Sequence, residues 1–126
     1  MLLARGIVAL GLVLLPLGAV AGQGPASVSS QVYAGWRQYS VHCARCHGQD
    51  VLGNPVAANL LETTAPGGAV AEEEPFTTVV LEGRPDRGMP GFKDQMTPEQ
   101  VAAVYAYVRG RAAREIPPGR PKREEG

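Results

Sequence analysis

Cys43-Ala44-Arg45-Cys46-His47 places two thiols three positions apart, with an imidazole directly after the second. On a helix that spacing spans about one turn and keeps both sulfurs on one side. Thiols so placed can add to the two vinyl groups of a haem, and the adjacent His can reach the iron from the same side. The run therefore reads as a site of covalent c-type haem attachment. A thioredoxin-like dithiol would need a βαβ surrounding and no obligatory His, and a zinc site would need a fuller ligand set. Neither is at hand, because Cys43 and Cys46 are the 2 cysteines of the chain and its other His is His42.

The second axial position of such an iron has few claimants. Of the 3 methionines, Met1 precedes an apolar leader, which leaves Met89 and Met96. Met89 stands between Gly88 and Pro90, residues that let the backbone turn sharply over a haem face. Met96 directly precedes Thr97, where it reads as an apolar staple at a helix start. Met89 is accordingly read as the axial partner of His47, with Met96, His42 or no side chain as the alternatives. His42 is tethered on the His47 side and reads as a surface residue. His/Met ligation favours ferrous iron and raises the potential relative to two nitrogen ligands. With no coordination position left open, electron transfer suits such a site better than turnover at the iron.

The chain around these residues is one small domain of 126 residues, with 44% hydrophobic and only 6% aromatic positions. Gly (16) and Pro (11) are numerous, so long turns and irregular loops are expected. Such a thin core calls for a cofactor or cross-link. From Gln31 to Cys43, the positions Val32, Tyr33, Trp36, Tyr39 and Val41 fit a helix better than alternation. Gly35 inside that helix implies a close crossing with another helix. Thr97-Pro98-Glu99-Gln100 is a helix start with a hydroxyl cap, Pro at the first position and Gln three residues after the cap. Val101, Val104, Tyr105 and Val108 then form one apolar stripe, and Gly110 is not expected to end the helix. A shorter helix runs from Glu74 or Pro75 to Leu81, burying Phe76, Val79 and Val80 and stopping at Gly83. Little regular structure is expected between Gly48 and Ala71, and no sheet.

With these elements in place, the chain resembles the class I c-type cytochromes from about Tyr33 to Arg114. The resemblance is carried by Gly35-x-x-x-Tyr39-x-x-x-Cys43-x-x-Cys46-His47-Gly48, by Gly88-Met89-Pro90-Gly91-Phe92, and by Val104 and Tyr107. It implies a small all-α cytochrome c fold, three to five helices around one covalently attached haem c, with Gly35 at the crossing of the first and last helices. It also implies a backbone acceptor for the free N–H of His47, usually a Pro two residues before a Leu. Here that count back from Leu60 falls on Ala58, and the nearest Pro is Pro55. Trp36, Arg84 and Arg87 are candidate partners of the haem propionates.

Ahead of the domain, Arg5, the apolar stretch Gly6–Ala21 and the small residues Ala19-Val20-Ala21 read as a secretory signal over 1–21. Interrupted by Pro16, that stretch is short of the ~20 residues a spanning helix needs. The expected organisation is a flexible leader over 22–30, the cytochrome domain over 31–114, and a Pro/Gly/charged tail over 115–126. Arg109, Arg111, Arg114, Arg120, Lys122 and Arg123 make the C-terminal region basic, partly offset by Glu124 and Glu125. Its Pro117-Pro118-Gly119-Arg120-Pro121 segment is expected to be extended or disordered, as a solvated terminus or a docking tail. The 12 basic and 12 acidic residues balance, which argues against nucleic acid.

The expectation is thus a monomeric, exported electron carrier of the periplasm, not an enzyme and without a membrane span. The details of Trp36-Arg37-Gln38-Tyr39, of the loop Gly83–Pro90 and of Gly119-Arg120-Pro121-Lys122 are similar to cytochromes that serve quinoprotein (PQQ-dependent) alcohol dehydrogenases. That likeness implies such a dehydrogenase as donor and a terminal oxidase or another cytochrome as acceptor. A five-coordinate haem module, as a sensor or small peroxidase, is the alternative.

Overall fold

A computed structural model describes Gly18 and residues 25–126. The signal expected over 1–21 lies outside the described residues except for Gly18. In chain order the elements are β1 (Ser27–Val28), α1 (Ser30–His42), α2 (Ala44–His47), α3 (Leu60–Thr63), α4 (Glu73–Glu82), α5 (Pro98–Ala112) and β2 (Lys122–Arg123).

The core is built where α1 crosses α5. Val101, Val104, Tyr107 and Val108 of α5 are buried, and Tyr39 of α1 meets Tyr107 with ring centroids 5.5 Å apart. Gly35 makes the crossing close. A Cβ built on it would lie 1.8 Å from the Ala103 carbonyl oxygen, so no side chain fits. Gly35→Ala is therefore expected to force the helices apart at a cost of about 3 kcal/mol, measured by denaturant unfolding of the purified protein. Unchanged stability would mean that the two helices part freely.

Both long helices are capped by their own sequence. The Thr97 side chain accepts from Gln100 N–H at 3.3 Å, and the Gln100 side chain accepts from Thr97 N–H at 2.8 Å, a reciprocal capping box. Ser29 accepts from Val32 N–H at the start of α1. Helix α5 passes Gly110, as expected, and the glycine leaves room for the Ile116 side chain, which a Cβ there would meet at 2.5 Å. In α4, Phe76 and Val80 are buried, Val79 is half-buried, and Gly83 ends the helix at φ +73°.

Two expectations are corrected, the burial of Val41 and the absence of a sheet. Val41 is exposed, because it lies on the side of α1 opposite Tyr39, about 200° away. The segment after Gly48 holds little regular structure, as expected: a 3-10 turn at Gln49–Val51 and the single turn α3, whose Leu61 N–H donates to the Asn59 side chain. The two ends of the described chain form a small parallel sheet, with Ser27 opposite Lys122 and Val28 opposite Arg123. Residues 27–28, expected in a flexible leader, are thus clasped to the tail. Val28 and Ile116 are buried beside this clasp, which gives the short pairing an apolar anchor.

Candidate haem site

The attachment motif straddles the end of α1. Cys43 caps α1 and is half-buried, while Cys46 and His47 lie in α2, and the two cysteines are not bonded to each other. Burial pushes the Cys43 thiol up to about 12, with the Cys46 thiol adding to the effect. A redox dithiol needs a lowered pKa, so this environment argues against that chemistry. Among the described residues, no three His, Cys, Asp or Glu side chains converge as a metal cluster, so a tetrahedral zinc site also lacks its ligands.

His47 is oriented by its ring nitrogen. Nδ1 lies 2.9 Å from the Ala58 carbonyl oxygen. A carbonyl can only accept, so Nδ1 carries the proton and the Nε2 lone pair is free for a metal. The acceptor is therefore Ala58. Pro55 opens the turn that precedes it, in which Ala57 N–H donates to the Asn54 carbonyl at 3.2 Å.

Met89 is presented by a closed loop at the end of α4. Arg84 N–H donates to the Met89 carbonyl at 2.8 Å, and Met89 N–H returns to the Arg84 carbonyl at 3.0 Å. Between them, Pro85–Arg87 form a 3-10 turn, and Gly88 takes the left-handed conformation at φ +79°. The loop also satisfies the last carbonyls of α4, because Phe92 N–H donates to Val80 and Lys93 N–H to Leu81. A Cβ on Gly83 would sit 2.4 Å from Gly91 N, so the two limbs of the loop touch backbone to backbone. Met89 is half-buried against the core, whereas Met96 is 4% exposed inside it, in one cluster with Val101. Met96 behaves as the staple expected of it. His42 is half-buried and meets the Phe92 ring edge-on at 5.8 Å, so it is not the free surface residue expected.

Of the other residues singled out, Arg84 contributes the backbone that brackets Met89, and Arg87 is exposed. Trp36 packs on Tyr33 with centroids 5.4 Å apart, and the Arg120 guanidinium lies 5.5 Å above its ring. The structure thus joins Trp36 to the tail. Three residues that matter to the site were read only as stripe or surface charge. Tyr105 donates to the Ala71 carbonyl, Arg109 to the Thr64 carbonyl and Arg111 to the Asp50 carbonyl, so α5 ties down the irregular segment 48–71. Their signal in the sequence was the placing of polar donors beside the apolar stripe of a well-capped helix.

The residues present fit a flat apolar group. Leu52 and Val56, 61% and 72% exposed, follow the motif directly, and Cys43, Leu60, Leu61, Val79, Leu81, Met89 and Phe92 are only half-covered at the core margin. Bare apolar side chains within nine residues after the motif, together with two unbonded thiols and a pre-oriented imidazole, are accounted for by a covalent haem.

The fold and the attachment motif define a small c-type cytochrome domain that carries covalently bound haem c. Residues 30–108 match the model of the family described as cytochrome c oxidase, cbb3-type, subunit III, and the chain belongs to that family of electron-carrying cytochrome c domains. It is 31% identical over 84 residues to quinohemoprotein alcohol dehydrogenase ADH-IIG of Pseudomonas putida, an alignment covering 67% of this chain and 11% of that protein. It is 33% identical over 79 residues to the dehydrogenase subunit of the alcohol dehydrogenase (quinone) of Acetobacter aceti, covering 62% of this chain and 10% of that one. The chain thus spans about a tenth of the length of these relatives. Its fold is similar to the crystal structure of the c-type cytochrome XoxG from Methylobacterium extorquens AM1, with a TM-score of 0.68 and 27% identity over 80% of this chain and 63% of that one.

Proposed function

We propose that this protein is a periplasmic one-electron carrier whose haem iron is held between His47 and Met89. It takes electrons from a quinoprotein alcohol dehydrogenase and passes them to a terminal oxidase or another cytochrome. The observation that carries the reading is the pair of pre-set ligands: His47 with its Nδ1 proton committed to Ala58, and Met89 held half-buried in a loop closed by two backbone hydrogen bonds. Haem c supplies the Fe(III)/Fe(II) couple. The chain's own residues hold both ligands in place, so that little reorganises when one electron arrives or leaves. Phe92 and Leu81, half-buried beside the Met loop, help to exclude water there.

The likeness to quinohemoprotein alcohol dehydrogenases supports a donor of that kind. Among the described residues no helix is long and apolar enough to cross a membrane. Three measurements test the reading. The purified protein should show one haem by intact mass and a sulfur-to-iron band at the red end of the oxidised spectrum. Mixed with a reduced quinoprotein alcohol dehydrogenase, it should be reduced rapidly. A high-spin spectrum together with fast carbon monoxide binding would overturn the carrier and favour a five-coordinate module.

A further inference from the structure

The strongest unexplained feature is a buried guanidinium. Arg111 is 6% exposed near the end of α5, and burying a charge is costly unless hydrogen bonds compensate it. Its Nε donates to the Asp50 carbonyl at 2.8 Å, and a terminal nitrogen donates to the Ile116 carbonyl at 2.5 Å. The Tyr107 hydroxyl, buried without a hydrogen-bond partner, lies beside the same group.

The Asp50 carbonyl belongs to a strained turn. Asp50 and Val51 both take positive φ, +55° and +60°, although neither is Gly and Val51 is β-branched and fully buried. Such a conformation persists only where the surroundings over-determine it. Two further tethers act on the same loop. The Tyr39 hydroxyl donates to the Gly48 carbonyl at 2.6 Å, and Gly53 N–H donates to the His47 carbonyl at 3.2 Å. The loop runs on to Ala58, whose carbonyl orients the His47 ring. Arg111 is thus the one side chain of α5 that grips the backbone between the attachment motif and the acceptor of its axial His.

We infer that Arg111 is a positioning residue for His47: its forked guanidinium pins the Asp50–Val51 turn to the corner at Ile116, and so keeps the Ala58 carbonyl on the imidazole. The inference rests on the reading of His47 as an iron ligand. A planar fork can hold two carbonyls at once, whereas a lysine ammonium at the end of a flexible stem cannot reproduce that geometry. Charge and positioning can therefore be separated.

The test compares the haem-loaded wild type with Arg111→Lys, Arg111→Met and, as a destabilised control on α4, Phe76→Leu; the Phe76 ring packs on Tyr105 and not on Arg111. Hydrogen exchange of the Leu52 and Gly53 amides is followed in the reduced proteins, and the reduction potential is measured for each. Both Arg111 variants should exchange these amides about tenfold faster than wild type, while Phe76→Leu does not single them out. Arg111→Lys keeps the charge yet should raise the potential, because a weaker Nδ1–H···Ala58 bond makes His47 a less basic ligand. Wild-type exchange and potential in Arg111→Lys would overturn the inference and leave a charge effect only. If Arg111→Met fails to accumulate, Arg111→Lys decides the matter alone. A wild type with one haem but no sign of His ligation by magnetic resonance would instead overturn the underlying reading of the site.

Discussion

Met89→Ala is expected to abolish the sulfur-to-iron band, to lower the reduction potential and to let carbon monoxide bind the ferrous protein quickly. With Met89 as the proposed axial ligand, removing the thioether would take away a soft ligand that favours ferrous iron and admit water in its place. The backbone of the loop should survive, because Met89 is bracketed through its own N–H and carbonyl and not through its side chain. Met96→Ala is the matched control, since it deletes the same atoms nearby. Met96 is 4% exposed in the core, so its loss is expected to cost about 2–5 kcal/mol of stability by leaving a cavity, with the band and the potential unchanged. Absorption spectra, redox titration and unfolding curves of the two variants separate ligation from packing. A band lost in Met96→Ala and kept in Met89→Ala would reverse the assignment.

Replacing Cys43 and Cys46 together with Ala is expected to remove the haem and, with it, most of the stability of the domain. The core without the cofactor is α1 packed on α5 and completed by α4, and the segment 48–71 joins it through Val51 and Val70 and through hydrogen bonds from Tyr39, Tyr105, Arg109 and Arg111. Small domains are stable by only about 5–15 kcal/mol, so uncovering Leu52, Val56 and their half-buried neighbours to solvent should leave a chain that accumulates poorly. Circular dichroism melting and periplasmic yield measure this. A variant that unfolds cooperatively at the wild-type temperature would show that the cofactor is not part of the core.

Much of the site could be read from local chemistry. Two thiols and an imidazole within five residues point to reaction with haem once the rest of the chain offers no further Cys for a zinc site, because so short a span brings them together. Thr97 and Gln100 likewise mark the start of α5 through hydrogen bonds that close within one turn. Gly35 announced a close crossing because a Gly inside a helix costs stability without one, and Ala103 proved to be the residue it meets.

What tertiary structure alone decided are the contacts between groups distant in the chain. The choice of Ala58 as acceptor for His47 depends on the path of an irregular loop, and any residue can offer a carbonyl. Residues 27–28 and 122–123 carry no alternating pattern, yet they pair because Val28 and Ile116 share the buried cluster beside them. Arg111 reads as surface charge in a basic helix end, and becomes a buried tether because α5 brings it against the Asp50 carbonyl, 61 positions away in the chain. Reactive groups close in sequence meet through bond geometry that the residues themselves dictate, whereas the partner of a backbone carbonyl has no residue-specific signature and is settled only when the chain packs.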